Sequence, residues 1–252
     1  MQRYFVNEEY WGENELAIVG DDYHHIANVM RMKPGDQIIC NHPSGHPYLC
    51  LIDQIDDQQV YLSKLERLDD QVELPIQITL IQGLPKGDKL EWIVQKSTEL
   101  GVDSIIPFNS ARSIVKWDGK KQVKKIERLQ KIAKEAAEQS HRTSLPTVEL
   151  PHSMQQILTS TKNFEHKFVA YEETTRTVST KKLQTYLAQI KPGQSVVIAI
   201  GPEGGFTEKE IEQFYDANFQ PIRLGPRILR TETAPMYFLS TLSYLLEETN
   251  LS

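Results

Sequence analysis

Three charged side chains stand beside two glycine-rich loops in the C-terminal third of the sequence. Glu203 lies inside the loop at 201–205, and Arg230 and Glu232 follow the loop at Gly225. A guanidinium stays positively charged and can stabilise an anion, whereas a carboxylate can accept a proton. This set of side chains is suited to removing a proton from a bound molecule. Pairing of Arg230 with Glu232 inside their own loop is an equally open interpretation.

Two predicted strands must bring these loops together. Residues 195–200 are apolar and β-branched, as in a short buried strand, and a second strand is predicted at 221–224. Thr207 and Glu210 have the spacing of a capping box, so a helix should begin directly after the first loop. Because open α/β sheets bind ligands at the carboxyl ends of parallel strands, the two loops predict one binding site.

The glycines of the first loop suggest how a ligand would be held. Gly201, Gly204 and Gly205 can adopt positive φ and leave the backbone uncovered, so that main-chain polar atoms can approach a flat ligand. No Gly-Lys-Ser/Thr follows these glycines, and the pattern is not G-x-G-x-x-G, which argues against both common nucleotide motifs. Two ordinary strand-to-helix turns are the alternative. The charged residues after the second loop favour a binding site.

Four segments resemble the RsmE family of SPOUT-class RNA methyltransferases. They read KGDKLEWIVQKSTELGVDSIIPF (86–108), EQSHRTSLPTV (138–148), IGPEGGFTEKE (200–210) and LGPRILRTETA (224–234). The opening residues QRYFV and the stretch HHIANVMRMKPGDQI also fit, so the resemblance covers nearly the whole chain. It implies transfer of a methyl group from S-adenosyl-L-methionine to N3 of a uridine in the 16S rRNA of the small ribosomal subunit.

The resemblance also implies roles for particular residues. Arg230 would hold the uracil anion, and Glu232 or Glu203 would accept its proton, with the choice of base left open. The residues implied to hold the cofactor are Ile200, Gly201, Glu203, Gly204, Gly205, Leu224, Gly225, Ile228, Leu229 and Thr233. The candidates for contact with RNA are Arg142, Gln139, Lys86, Arg3 and Arg31, with Lys89 and Lys96 as further candidates for contact with phosphate. For Arg142 and Gln139, binding of the ligand carboxylate is an alternative. No metal is expected.

Composition bounds the class of protein. The 252 residues are 39% hydrophobic and 25% charged, which is typical of a soluble globular protein. The net charge of −6 argues against a generic basic coat for nucleic acid. Residues 116–134 nevertheless hold eight Lys and Arg against Asp118 and Glu127, so a local basic face remains possible. With no membrane-spanning run and no leader, we expect a cytoplasmic protein.

Two domains are expected. Residues 1–72 show short alternating runs separated by turns, with one helix at 22–30, and indicate a small β-barrel or meander; the resemblance makes it a PUA-like RNA-binding domain. Residues 73–252 alternate strands and helices, which predicts an α/β fold whose mainly parallel sheet has helices on both faces. The final helix, at 234–247, is apolar on more than one face. The resemblance implies a trefoil knot and a homodimer there.

A possible metal site lies in the first domain. Cys40, His42, His46 and Cys50 have short spacings that zinc sites also use. Both cysteines, however, fall on predicted strands with the histidines in the turn between them. Two core thiols and two turn histidines explain the pattern better than zinc does.

Three other functions compete with the uridine methyltransferase. A related SPOUT enzyme could modify another RNA base, a ribose oxygen or tRNA, because substrate choice depends on pocket shape. A non-catalytic RNA-binding factor for ribosome assembly could keep the same fold. The retained glycine loops with Arg230 and Glu232 argue against this. A dinucleotide oxidoreductase is disfavoured by the missing glycine fingerprint.

Overall fold

The computed structural model describes residues 1–117, 119–171 and 182–249. Asp118, which belongs to the predicted basic segment, lies outside the described residues. The chain forms two compact units, one made of Met1–Glu73 with Ala137–Leu145 and the other of Leu74–Ala136 with Pro146–Ser252. The predicted division into 1–72 and 73–252 did not include the return of Ala137–Leu145 to the first unit.

The first unit is built on a five-stranded sheet. Its strands are β1 (Arg3–Phe5), β2 (Glu15–Val19), β3 (Gln37–Asn41), β4 (Pro47–Ile55) and β5 (Gln59–Arg67). The order across the sheet is β1-β3-β4-β5-β2, with only the β1–β3 pair parallel. Helix α1 (Gly20–His24) continues as a π-helical turn at His25–Val29, close to the predicted helix. The small N-terminal β domain is therefore confirmed.

The two cysteines belong to the core of this unit. Cys40 and Cys50 are fully buried, and burial raises the pKa of the Cys40 thiol, as does its hydrogen bond with Cys50. His42 and His46 close the turn between β3 and β4 through a main-chain hydrogen bond of 2.9 Å. Among the described residues, no group of three metal-ligating side chains lies close enough to hold an ion.

The second unit contains a six-stranded parallel sheet. Its strands are β6 (Gln77–Gly83), β7 (Ser104–Phe108), β8 (Thr147–Val148), β9 (His166–Ala170), β10 (Ser195–Ile200) and β11 (Gln220–Ile222). The order is β11-β9-β10-β6-β7-β8, and all five pairs are parallel. Along β10, Val196 and Ile198 enter one core and Val197 and Ala199 the other. A strand buried on both faces requires helices on both sides, so the α/β prediction is confirmed.

Six helices accompany this sheet among the described residues. They are α2 (Lys89–Glu99), α3 (Gly119–Gln139), α4 (Met154–Ser160), α5 (Leu183–Leu187), α6 (Glu208–Asp216) and α7 (Thr233–Ser243). Helix α6 begins with the predicted capping box, in which Thr207 N donates to Glu210 Oε2 at 2.8 Å and Glu210 N to Thr207 Oγ1 at 3.3 Å. The end of α3 belongs to the first unit. Within the described chain, every helix is too short or too polar to span a membrane.

Helix α7 is the apolar helix predicted near the C-terminus. Phe238, Leu239 and Leu242 are fully buried against the sheet, and a π-helical turn at Tyr244–Glu248 extends the helix. Tyr244 is 59% exposed. The predicted trefoil knot stays a prediction.

Candidate active site

A cavity of about 620 Å³ opens at the carboxyl ends of β9, β10 and β11. It lies where the topology of an open parallel sheet places ligands. The predicted site residues that line it are Ile200, Gly201, Glu203, Gly204, Gly205, Leu224, Gly225, Ile228, Leu229 and Arg230. The loops after β10 and β11 therefore form one pocket, as their positions at the ends of parallel strands suggested.

The glycines shape this pocket in two different ways. Gly205 and Gly225 have φ of +66° and +78°, which favours glycine. Gly201 and Gly204 do not adopt positive φ, contrary to expectation; instead they allow close packing. A Cβ on Gly201 would lie 3.1 Å from Gly205 Cα, and one on Gly204 would lie 3.2 Å from Arg112 Cβ. At Gly201 and Gly204 there is thus little space for a side chain, and the main chain itself lines the cavity.

Gly83, at the end of β6, packs directly against the first loop at Gly201 and Pro202. A Cβ on this residue would lie 2.4 Å from Pro202 Cδ and 2.6 Å from Pro202 N. Such a distance cannot be accommodated without moving backbone atoms. The close contact between Gly83 and Pro202 therefore fixes the position of the loop at 201–205 against β6. The sequence pattern around Gly83 did not reveal this contact.

A buried hydroxyl joins the two loops. Thr231 Oγ1 donates to the carbonyl oxygen of Gly201 at 2.7 Å and accepts a hydrogen bond from Gln82 Nε2 at 3.0 Å. Gln82 is fully buried, and Thr231 nearly so. Buried polar groups that are paired in this way resist displacement, because breaking the pair leaves an unsatisfied group in the interior. Neither residue was among the predicted site residues.

Two further cations line the cavity: Lys89, which the sequence suggested only as a contact for phosphate, and Arg112, which local patterns did not identify. Lys89 comes from the first turn of α2, and Arg112 comes from the loop after β7. Arg112 Nη1 donates to Gly204 O at 3.1 Å, and the neighbouring Ala111 N donates to Glu210 Oε1 at 2.8 Å. The segment after β7 is thereby attached to the first glycine loop. The only available signal was that both segments follow strands of the same sheet.

Lys89 pairs with a carboxylate from each loop. Its Nζ lies 2.9 Å from Glu203 Oε1 and 3.1 Å from Glu232 Oε2. The hydrogen bond to Glu203 raises the pKa of Lys89, and the neighbouring carboxylate of Glu232 raises it further. Partial burial would raise the pKa of Glu203, but the hydrogen bonds from Lys89 and the backbone lower it overall. Glu232 itself does not line the cavity, nor does Thr233.

Arg230 lines the cavity with an exposed side chain. Among the described residues it makes no ion pair, and Glu232 pairs with Lys89 instead. The pairing of Arg230 with Glu232 that the sequence left open is therefore not the arrangement found. Arg223 and Arg227 line the same cavity, so cations dominate this part of an acidic chain.

The residues predicted to contact RNA do not line this cavity. Lys86 is exposed, and its main-chain N donates to Glu203 Oε1 at 3.2 Å. Arg31 is exposed with φ of 54°, and Gln139 is exposed at the end of α3. Their contact with RNA stays a prediction.

Two of the predicted RNA contacts are buried arginines of the first unit. Arg142 is paired with Glu73 at 2.6 Å, and Arg3 with Asp70 at 2.6 Å. Both guanidiniums are at most 4% exposed. Their observed contacts support the structure of that unit, and their contact with RNA also stays a prediction.

Comparison with known proteins decides the family. A family model described as an RNA methyltransferase domain matches residues 72–243, and one described as an RNA methyltransferase PUA domain matches 18–65. The chain is 46% identical to the ribosomal RNA small subunit methyltransferase E of Bacillus subtilis, over 98% of each chain. The chain belongs to the RsmE family of RNA methyltransferases. The resemblance seen in the sequence motifs is confirmed.

Solved structures of RsmE-like proteins have the same fold. A methyltransferase from Legionella pneumophila in complex with S-adenosylmethionine is 31% identical, with a TM-score of 0.85 over 96% of this chain and 97% of that one. The ribosomal RNA small subunit methyltransferase E of Neisseria gonorrhoeae, bound to S-adenosylmethionine, is 30% identical, with a TM-score of 0.83 over 97% and 98%. Both were crystallised with the methyl donor that the sequence motifs imply.

Proposed function

We propose that the protein transfers a methyl group from S-adenosyl-L-methionine to N3 of a uridine in small-subunit 16S rRNA. The observation that carries the proposal is the single cavity formed by the two glycine loops, with Arg230 exposed in it. Membership of the RsmE family supports the substrate, because the relatives are named for the ribosomal RNA of the small subunit.

The residues of the cavity fit the methyl donor. At Gly201 and Gly225 the cavity is lined by main chain, and an added Cβ would lie 3.1 and 3.2 Å, respectively, from neighbouring atoms. Ile228 adds an apolar side chain that is 69% exposed. The residues proposed to hold the cofactor are Ile200, Gly201, Glu203, Gly204, Gly205, Leu224, Gly225, Ile228, Leu229 and Thr233. S-adenosylmethionine would supply an electrophilic methyl group attached to a sulfonium. The loops would orient it towards the substrate base.

The protein side chains would manage the proton and the charge of the base. Uracil N3 carries a proton that must leave before its lone pair can form a bond to carbon. Glu232 or Glu203 would take this proton, directly or through water, and Arg230 would stabilise the negative charge left on the ring. The ion pairs with Lys89 keep both carboxylates close to the pocket, at 2.9 and 3.1 Å from its Nζ.

Recognition of RNA would use cations from both units. The positive lining formed by Lys89, Arg112, Arg223, Arg227 and Arg230 favours phosphate or an anionic base. The first unit would bind rRNA through its shape, as expected for a PUA-like domain, with the exposed Arg31 as one contact. Because ribosomal RNA is made and assembled in the cytoplasm of bacteria, we place the activity there.

A homodimer is the proposed assembly. Helix α7 has fully buried residues, while Tyr237 on α7 and Tyr244 in the π-helical turn that follows it are 36% and 59% exposed. A second copy packed on this helix would cover them. Light scattering should give twice the chain mass of 28.9 kDa; a monomer at micromolar concentration would contradict the proposal.

The decisive experiment is nucleoside analysis of 16S rRNA. Small subunits from a strain that lacks the protein should lack one N3-methyluridine, and purified protein with S-adenosylmethionine should restore it. Restoration of a different modification would favour a related transferase. A subunit that is assembled abnormally but fully methylated would favour a non-catalytic assembly factor.

A further inference from the structure

Lys89 connects three separate segments of the second unit. It is the first residue of α2, Glu203 lies in the loop after β10, and Glu232 directly precedes α7. Its Nζ is 2.9 Å from Glu203 Oε1 and 3.1 Å from Glu232 Oε2, with all three side chains at most about one-third exposed. A single ammonium group therefore holds one carboxylate from each side of the cavity.

The carboxylates of Glu203 and Glu232 differ in the hydrogen bonds that they accept. Glu203 Oε1 accepts hydrogen bonds from Lys89 Nζ and from Lys86 N, at 2.9 and 3.2 Å. Glu232 Oε2 is buried and lacks a well-aligned hydrogen-bond donor, although Lys89 Nζ lies 3.1 Å away. Without Lys89, this oxygen would be a buried acceptor with no ion-pair partner among the described residues, which favours pairing with another cation.

Arg230 is the cation closest in sequence to Glu232. Only Thr231 separates the two residues in the chain, so their backbones are necessarily close, and the hydroxyl of Thr231 attaches this segment to Gly201 O at 2.7 Å. With Glu232 engaged by Lys89, Arg230 stays exposed in the cavity without an ion pair among the described residues. The arrangement thus separates a carboxylate and a guanidinium that would otherwise attract each other.

We propose that Lys89 is a positioning residue for methyl transfer, which engages Glu203 and Glu232 and so leaves the guanidinium of Arg230 available to the substrate base. The inference rests on the proposed function, because Arg230 matters in this way only if an anionic base forms in the pocket. Lys89 itself neither makes nor breaks a bond. A direct contact between Lys89 and an RNA phosphate is the competing explanation.

The first test compares three variants. Lys89→Met should lower kcat for rRNA methylation by roughly 10- to 100-fold, the range that follows from misplaced catalytic groups. The Kd for S-adenosylmethionine and the KM for the rRNA substrate should each change by less than about threefold. Lys89→Arg should recover most of the rate, since a guanidinium can bind two carboxylates. Lys209→Met, which removes an exposed charge from α6, should behave as wild type.

The second test separates positioning from phosphate binding. If Lys89 acts through the carboxylates, Lys89→Met should leave the Kd for rRNA, measured by binding without methyl transfer, within about threefold, both in the wild-type protein and in a Glu203→Gln/Glu232→Gln background. A tenfold or larger loss of rRNA affinity in either background, or a rise in KM for rRNA as the main effect of the single variant, would overturn the proposal.

The third test does not depend on activity. A crystal structure of the Lys89→Met variant should show Arg230 within about 4 Å of Glu232, the usual limit of an ion pair. An Arg230 that keeps its wild-type position would overturn the inference. A wild-type protein that fails to methylate rRNA would overturn the proposed function and this inference together, whereas an active wild type with a fully active Lys89→Met variant would overturn the inference alone.

Discussion

The hydroxyl of Thr231 donates a 2.7 Å hydrogen bond to the carbonyl oxygen of Gly201. This bond joins the loop before α7 to the loop after β10. Gln82, in β6, donates a second hydrogen bond from its Nε2 to the same hydroxyl at 3.0 Å. The separation of the two loops, and hence the width of the cavity between them, depends on a buried polar contact as well as on packing.

Removing this hydroxyl should weaken cofactor binding. Thr231→Val keeps the shape of the side chain but leaves Gln82 Nε2 and Gly201 O without their shared partner, at a cost of about 1–3 kcal/mol in the free energy of unfolding. We expect calorimetry to show a roughly tenfold weaker Kd for S-adenosylmethionine. Thr231→Ser retains the hydroxyl and is the control. A Kd for S-adenosylmethionine in Thr231→Val equal to that of the wild type would show that the Thr231–Gly201 hydrogen bond does not determine the width of the cavity.

A methyl group at Gly83 should displace the first loop. Its Cβ would lie 2.4 Å from Pro202 Cδ, so either β6 or the loop at 201–205 must move. We expect Gly83→Ala to lower the melting temperature and to weaken binding of S-adenosylmethionine. Gly119→Ala is the matched control, because a Cβ at Gly119 meets nothing within 4 Å. Equal behaviour of the two variants would contradict the proposed support from Gly83.

The pair of Glu73 and Arg142 should make the stability of the first unit depend on pH. Burial would raise the pKa of Glu73, but the hydrogen bonds and charge of Arg142 and the amides of Ser144 and Thr143 lower it below its usual value of 4.5. A lowered pKa means that the ionised carboxylate stabilises the folded state. This stabilisation is complete above about pH 4.5 and disappears as the pH falls through the folded-state pKa.

Glu73→Gln should therefore cost roughly 3 kcal/mol at neutral pH, because it removes the negative charge that pairs with the buried guanidinium of Arg142 at 2.6 Å. The cost should shrink as the pH falls below about 4.5. Glu91→Gln, which removes an exposed pair with Arg128, should cost less than about 1 kcal/mol. Hydrogen exchange can measure both costs, in the first unit for Glu73→Gln and in the second unit for Glu91→Gln. A pH-independent effect of Glu73→Gln would refute the assignment.

Arg230 should matter for the chemical step rather than for cofactor binding. Arg230→Met removes the charge proposed to stabilise the uracil anion, and we expect kcat to fall by roughly 100-fold or more. The Kd for S-adenosylmethionine should stay within about threefold. Arg230→Lys keeps a positive charge without the planar guanidinium, so its kcat should lie between those of the wild type and Arg230→Met. A large loss of cofactor affinity with unchanged kcat would reverse the assigned role.

Local patterns in the sequence predicted the strands, the capping box and the loops around the cavity. Residues 196–200 are continuously apolar and therefore indicated a buried strand, and Thr207 and Glu210 indicated the start of α6. The family motifs added the nature of the cofactor. These features depend on residues close together in the chain, which is why the sequence revealed them.

Contacts between distant segments could not be predicted in the same way. Lys89 meets Glu203 across 114 positions, and Gln82 meets Thr231 across 149. A lysine at the start of a helix or a glutamine at the end of a strand has many possible partners, and only the packed sheet selects one. The buried positions of Arg3 and Arg142 were missed for the same reason, because their carboxylate partners are distant in sequence.

The most direct test is a crystal structure of the protein with S-adenosylmethionine, supported by calorimetry. The account predicts one cofactor per chain, with its adenine against the main chain of 224–229, its methyl group facing the cavity and Arg230 open beside it. A cofactor bound elsewhere, or loops at 201–205 and 224–229 that stay closed and empty at saturating S-adenosylmethionine, would contradict it.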